Sequence, residues 1–358
     1  MKAIFLTALN TLELRDIPAP TPGPGEVLVH VGAVGICGSD VHYYRHGKIG
    51  IEKAVYPQAL GHEPSGTIEA VGTGVDAARV DERVAIEPGI GCGECEFCRS
   101  ARENLCPKVI FLGSPGRQGA YREFVVMPGK NCVPVPKTMT MAAAAMLEPF
   151  AVGVEAASIA NIRPGFTACV LGCGSIGLST MAAAAASGVT EIFGVDPLEF
   201  RRTAAQKHFG AGEVFGGPND KVAAWLMDET NGRGVDVVFE ASGDHAAFTI
   251  MPDLAVRGGM AVIIGIPTAD SYSFSPHIAR RKGLTITNCR RSNRKLETAI
   301  KLAETGRVDL DKLVTHRFSL EDTAKGFDLV DGYRDGVIKA IVAMEEQDSP
   351  RSRKVGKG

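Results

Sequence analysis

Cys92, Cys95, Cys98 and Cys106 stand in the spacing C-x2-C-x2-C-x7-C. Four thiolates on so short a run suit a tetrahedral zinc ion with no open position, which is a structural site. The x7 gap departs from the common ferredoxin spacings and argues against an iron–sulfur cluster. The same stretch sets the acids Glu94, Glu96 and Glu103 against the bases Arg99, Arg102 and Lys108, a poor surface for phosphate and hence for nucleic acid. A second set of donors is scattered. Cys37 lies in GICGSD, His62 and Glu63 in ALGHEPSG, and Glu148 in MLEPFAVG. One thiolate with nitrogen and oxygen donors makes an open zinc site, because three protein ligands leave a place for water or substrate. A cysteine by itself is more often a small buried hydrophobe. The co-occurrence of the four residues carries the metal reading, with the choice between Glu63 and Glu148 as ligand left open.

A third constellation is VLGCGSIG, with Gly172, Gly174 and Gly177 in G-x-G-x-x-G spacing. The motif gains meaning from the apolar strand before it and the helical stretch after it. The first glycine makes the tight turn, the second lets a pyrophosphate approach the backbone, and the third lets helix and strand pack. The N–H groups of Ser175 and Ile176 then open the helix toward the phosphates. Asp196 ends the next strand, near the offset expected of an acid that bonds the ribose hydroxyls. A carboxylate there repels a 2′-phosphate and favours NAD over NADP. Arg201 and Arg202 lean the other way, since an arginine nearby can hold that phosphate.

These residues need two kinds of scaffold. Residues 1–150 read as short strands broken by Gly and Pro, such as EVLVHVGAVGI, SGTIEAVGTGV and DERVAIEP, and predict an antiparallel, barrel-like domain. From TACVLG onward, six apolar strands alternate with helical segments, which predicts a doubly wound α/β nucleotide-binding domain over 151–289. Residues 290–345 turn helical and end in a strand-like DGVIKAIVAM, expected to pack back on the first domain. Residues 346–358 carry almost no apolar side chains and are expected to be disordered.

A chain of 358 residues is too long for one ordinary core and fits two domains. A net charge of −2 gives no general attraction to nucleic acid or anionic membrane. There is no secretory pattern at the start and no apolar run long enough to span a bilayer. Nine cysteines, four of them clustered, in a chain without an export signal favour metal over disulfides and place the protein in the cytoplasm.

Taken together, GICGSD, GHEPSGTIEAVG, DERVAIEPG, the four-Cys lobe and VLGCGSIG resemble the zinc-dependent medium-chain dehydrogenases. CGSDVHYYRHGKIG, VAIEPG and LEPFAVGVEA resemble most closely the sorbitol (polyol) dehydrogenases of that family. The resemblance implies a GroES-like, β-rich catalytic domain with a structural zinc lobe, into which a Rossmann domain is inserted. It implies two zinc ions and one NAD per chain, and a homotetramer or dimer. Cys37, His62 and Glu148 would surround the catalytic zinc, with Glu63 a possible direct ligand. Ser39 and His42 match relay positions for the hydroxyl proton, Tyr43 the aromatic wall of the substrate cleft, and Arg290 a polyol-contacting arginine. Arg291 stands where tyrosine is common. Glu63 would otherwise be an unpaired acid in a glycine-rich bend. The implied reaction is reversible oxidation of a secondary hydroxyl of a polyol to a ketose. The alternatives are L-threonine or a simple secondary alcohol as substrate, or a non-catalytic zinc- and nucleotide-binding regulator.

Overall fold

A computed structural model describes residues 1–344. The expectation for the tail, 346–358, lies outside the described residues. The first domain centres on a seven-stranded sheet. Its middle strand, Glu26–Gly35, pairs antiparallel with Glu63–Val71, Phe124–Pro128 and Lys339–Ala343. The strand-like segment near the C-terminus thus enters this sheet beside residues 33–35. One pair departs from the all-antiparallel expectation: Val314–Phe318 runs parallel to Lys339–Ala343. Helix Thr323–Asp331 lies between these two in the chain and makes the crossover that a parallel pair needs. Its Phe327 is fully buried against Tyr44 and Tyr121, with ring centroids 5.2 and 5.6 Å away. Burial of one such ring stabilises by about 1.5–3 kcal/mol.

The second domain is a six-stranded parallel sheet of Thr167–Leu171, Glu191–Val195, Val214–Phe215, Val235–Glu240, Ala255–Ile263 and Thr285–Asn288. In chain order the strands lie third–second–first–fourth–fifth–sixth, the doubly wound arrangement with its switch point beside the first strand. The apolar runs are continuous rather than alternating because helices cover both faces. EVFGG yields only the two-residue strand Val214–Phe215. Helix Leu147–Ile159 runs unbroken across residue 150 and packs on helix Ser175–Ala186. Gly153 permits that approach, since a Cβ there would lie 2.6 Å from the Ser179 backbone. The two domains therefore share a helix rather than parting at a loop.

Candidate active site

Sheet register brings the scattered donors together. Strand Glu26–Gly35 ends next to the start of its neighbour, where Gly35 pairs with Glu63. Cys37 follows the first strand and His62 precedes the second, so two strand ends meet at one end of the sheet. Gly35 has to be glycine: a Cβ would overlap the Glu63 carboxylate. Cys37, His62 and Glu63 each offer a ligand atom, all within 4.8 Å of one another, with His62 and Glu63 buried. Thiolate, imidazole and carboxylate at that spacing fit a zinc ion.

Around them is an outer layer that sequence reasoning missed. Asp40, in the first turn of helix Gly38–His46, is 1% exposed. It accepts the N–H of Cys37 and of Gly61, each at 3.1 Å, and the Tyr121 hydroxyl at 3.0 Å. Its Oδ1 lies 3.4 Å from His62 Nδ1, which leaves Nε2 for the metal side. Burial alone would push the Asp40 carboxyl up, but facing His62 and the backbone N–H groups hold it below the usual range. Burial pushes His62 down, yet Asp40 and Cys37 outweigh it and raise it well above the ordinary imidazole value.

Glu63 is not otherwise unpaired. Lys339, 276 residues away and equally buried, donates to both its oxygens at 2.7 and 2.9 Å and to the Ile36 carbonyl at 3.3 Å. The antiparallel register of 339–343 against 33–35 carries that lysine there. A carboxylate has roughly four lone-pair sites, so an ammonium group on it does not exclude a metal. Glu148 does not join the group of three. It sits in the first turn of helix Leu147–Ile159, where burial lifts it to about 8; His62 pulls it down and Glu63 and Glu87 push it further up.

Ser39, His42 and Tyr43 share helix Gly38–His46 at spacings of three and four, and therefore one face. Ser39 Oγ is 3.4 Å from His62 Nε2. His42 is half-buried, and burial, then His46, lowers its pKa. Tyr43 is buried, its hydroxyl 3.4 Å from Glu52, and burial with that carboxylate pushes it up to about 12. Tyr44 and Arg45 turn to Asp328 on helix Thr323–Asp331 instead.

The two adjacent arginines part company. Arg290 is exposed and bound to the four-Cys lobe, with Nε donating to the Asn104 carbonyl at 3.2 Å. The arginine that faces the centre is Arg291. Its guanidinium lies 3.8 Å from the Phe111 ring centroid, and Phe111 packs on the His62 ring at 5.3 Å. Burial, then Arg290, lowers Arg291 to about 10, while Glu52, Glu148 and Tyr43 pull it up. Arg291 itself holds a left-handed backbone, φ +59°.

In the lobe, Cys95 caps helix Glu96–Arg99, accepting the Cys98 N–H at 3.5 Å, and Cys92 and Cys98 sulfurs are 3.9 Å apart. Tetrahedral zinc with bonds of about 2.3 Å sets sulfurs about 3.8 Å apart, so the set fits. Backbone N–H groups pull Cys92 down to about 6; burial, then the other thiols, push Cys98 up to about 12. Crowded thiols of this kind need a divalent cation to ionise together.

At the nucleotide end, Gly172 adopts φ +94°, where a Cβ would lie 2.9 Å from Ser242. A Cβ on Gly177 would overlap the Gly172 carbonyl. The first helical bond runs from the Leu178 N–H to the Gly174 carbonyl at 2.9 Å. The N–H groups of Ser175, Ile176 and Gly177 lie ahead of it, a cradle for an anion. Asp196 accepts the Cys173 N–H at 2.8 Å and the Leu198 N–H at 2.9 Å, with Arg201 3.6 Å away. Arg202 is engaged by the carbonyls of Asp196 and Pro197, each at 2.8 Å.

Residues 23–137 match the alcohol dehydrogenase GroES-like domain and 175–305 the zinc-binding dehydrogenase family. The chain is 36% identical to sorbitol dehydrogenase of Bacillus subtilis over 342 residues, 96% of this chain and 97% of the relative. It is 32% identical to D-xylulose reductase of Morganella morganii over 329 residues, 92% of this chain and 97% of the relative. A short chain alcohol dehydrogenase from E. coli, solved with NADH, superposes with TM-score 0.88 at 28% identity, covering 96% of this chain and 99% of that one. The likeness runs through both domains, and it makes the chain a member of the zinc-dependent medium-chain dehydrogenases, among their polyol dehydrogenases.

Proposed function

We propose that the protein reversibly oxidises a secondary hydroxyl of a polyol to the ketose, with NAD as hydride acceptor. The carrying observation is the buried convergence of Cys37, His62 and Glu63 beside Arg291 and the helix that bears Ser39 and Tyr43. Zinc supplies Lewis acidity toward the substrate oxygen and NAD supplies the hydride acceptor. Cys37, His62 and Glu63 hold the catalytic ion, and Asp40 fixes the His62 tautomer. Cys92, Cys95, Cys98 and Cys106 hold a second, structural ion. Ser39 takes the hydroxyl proton and His42, one turn on, passes it toward solvent. Tyr43 and Glu148 bond flanking hydroxyls, and Arg291 adds a fixed donor that a simple alcohol would leave unused. Gly172, Gly174 and Gly177 with Ser175 and Ile176 seat the pyrophosphate. Asp196 reads the ribose, and its carboxylate repels a 2′-phosphate, which supports NAD. The enzyme works as a homotetramer or dimer and in the cytoplasm, the latter consistent with nine free cysteines.

A panel of sorbitol, xylitol, galactitol, threonine and 2-butanol, each with NAD and NADP, tests the reading. Polyol turnover with NAD is expected. Turnover of threonine alone would overturn the substrate class, and exclusive use of NADP would overturn the cofactor.

A further inference from the structure

The loop that carries Arg291 leaves the last strand of the nucleotide domain at Asn288 and enters helix Leu296–Glu304. Three of its non-glycine residues, Arg291, Asn293 and Arg294, hold left-handed φ of +59°, +44° and +59°. A loop with three such residues keeps its shape only if its surroundings over-determine it. The surroundings belong to the other domain, and two of the contacts come from the four-Cys lobe between Cys98 and Cys106. Asn104 donates Nδ2 to the Arg290 carbonyl at 2.8 Å and accepts Arg290 Nε on its own carbonyl at 3.2 Å. Glu103 takes the Arg294 guanidinium at 3.1 and 3.3 Å. Buried Glu87 accepts the Ser292 hydroxyl on both oxygens at 3.0 Å. A cavity of about 10 Å³ lies between loop and lobe, lined by Glu87, Asn104, Arg291 and Asn293.

We propose that the four-Cys lobe is a clasp for substrate recognition: Asn104 and Glu103 are positioning residues that hold the 290–294 loop across the domain junction so that Arg291 faces the polyol. The clasp rests on the substrate reading above. The thiols set the chain path from Cys98 to Cys106, and that path sets Asn104 and Glu103. A lobe that served stability alone would not need both of these residues turned onto a loop of the other domain.

The test compares zinc-loaded full-length protein with Asn104→Ala, with Glu103→Ala and, from the loop side, with Ser292→Ala, which leaves the lobe's own residues untouched. Loss of one or two hydrogen bonds is expected to speed amide exchange over residues 289–295 about tenfold, with residues 172–178 unchanged. The same variants should raise the sorbitol KM about fivefold or more while the NAD KM and kcat stay within about twofold. Glu103→Gln, which keeps an acceptor for Arg294, should recover most of the loss. In an Arg291→Ala background the lobe variants should raise the sorbitol KM no further, because both act through one side chain. Unchanged exchange over 289–295 overturns the clasp, as does an equal rise in the NAD KM or full additivity with Arg291→Ala. A wild-type protein that turns over no polyol sinks the substrate reading, and the exchange comparison still decides whether the lobe holds the loop.

Discussion

In the lobe, four like donors come from fifteen consecutive residues, and three of them are only half-buried. Around Cys37, three unlike donors come from the ends of two strands, and acids, a lysine and aromatic rings wall them in. The candidate metal group of the lobe is built from sulfur alone. The second centre is asymmetric, with Asp40 behind His62 and Lys339 behind Glu63, and with Ser39 and Arg291 on the side left free. Saturated local donors make a fastening; unsaturated distant donors with ordered outer partners make a place for chemistry.

Breaking each side of this contrast should give different failures. Cys37→Ser should lower turnover by about a thousandfold or more, the several kcal/mol that charge stabilisation at the substrate oxygen supplies, with the thermal midpoint nearly unchanged. Cys98→Ser should lower the thermal midpoint first and kcat little. Thermal melts and kcat measured on both variants check this. Next in size, Arg291→Ala should raise the sorbitol KM about 10- to 100-fold, as expected for lost hydrogen bonds from a charged donor, while the 2-butanol KM moves little. Arg290→Ala, on the exposed side, should spare binding except through the loop. Asp40→Asn should weaken metal at the Cys37 centre about 10- to 100-fold and leave the lobe untouched, read by competition with a chelator.

The smallest effect concerns pH. His42 titrates below 6.5 in the folded chain, so folding favours its neutral form. Its contribution to stability is steady above 6.5 and is lost as pH falls below it, toward the lowered folded value. The acid limb of kcat/KM should accordingly lie at or below 6.5, and His42→Gln should remove that limb while costing activity only a few-fold, about 2- to 5-fold.

What the sequence disclosed follows the range of the interactions. The lobe and the glycine turn are local: their residues lie within fifteen positions, and spacing alone dictates geometry. The six strands of the nucleotide domain were visible because burial on both faces makes continuous apolar runs. Donor type grouped Cys37 with His62, Glu63 and Glu148 as candidates, but the sheet register that brings Cys37, His62 and Glu63 together is tertiary. Asp40 was hidden because an acid in a helix's first turn is an ordinary capping choice. Its reach to Gly61, His62 and Tyr121 is tertiary. Lys339 was hidden for the same reason, 276 residues from Glu63. That Arg290 turns to the lobe while Arg291 turns to Phe111 is tertiary as well, and no spacing rule marks it.

The Cys37, His62 and Glu63 centre should hold an exchangeable metal, distinct from one fastened in the lobe. Graded chelation followed by metal counting, with NAD-linked sorbitol turnover and a thermal melt on each sample, tests it most directly. Two zinc ions per chain are expected, with the first lost alongside all turnover while the melt stays put. Turnover that survives loss of the first ion, or two ions that leave together as the fold melts, would contradict it.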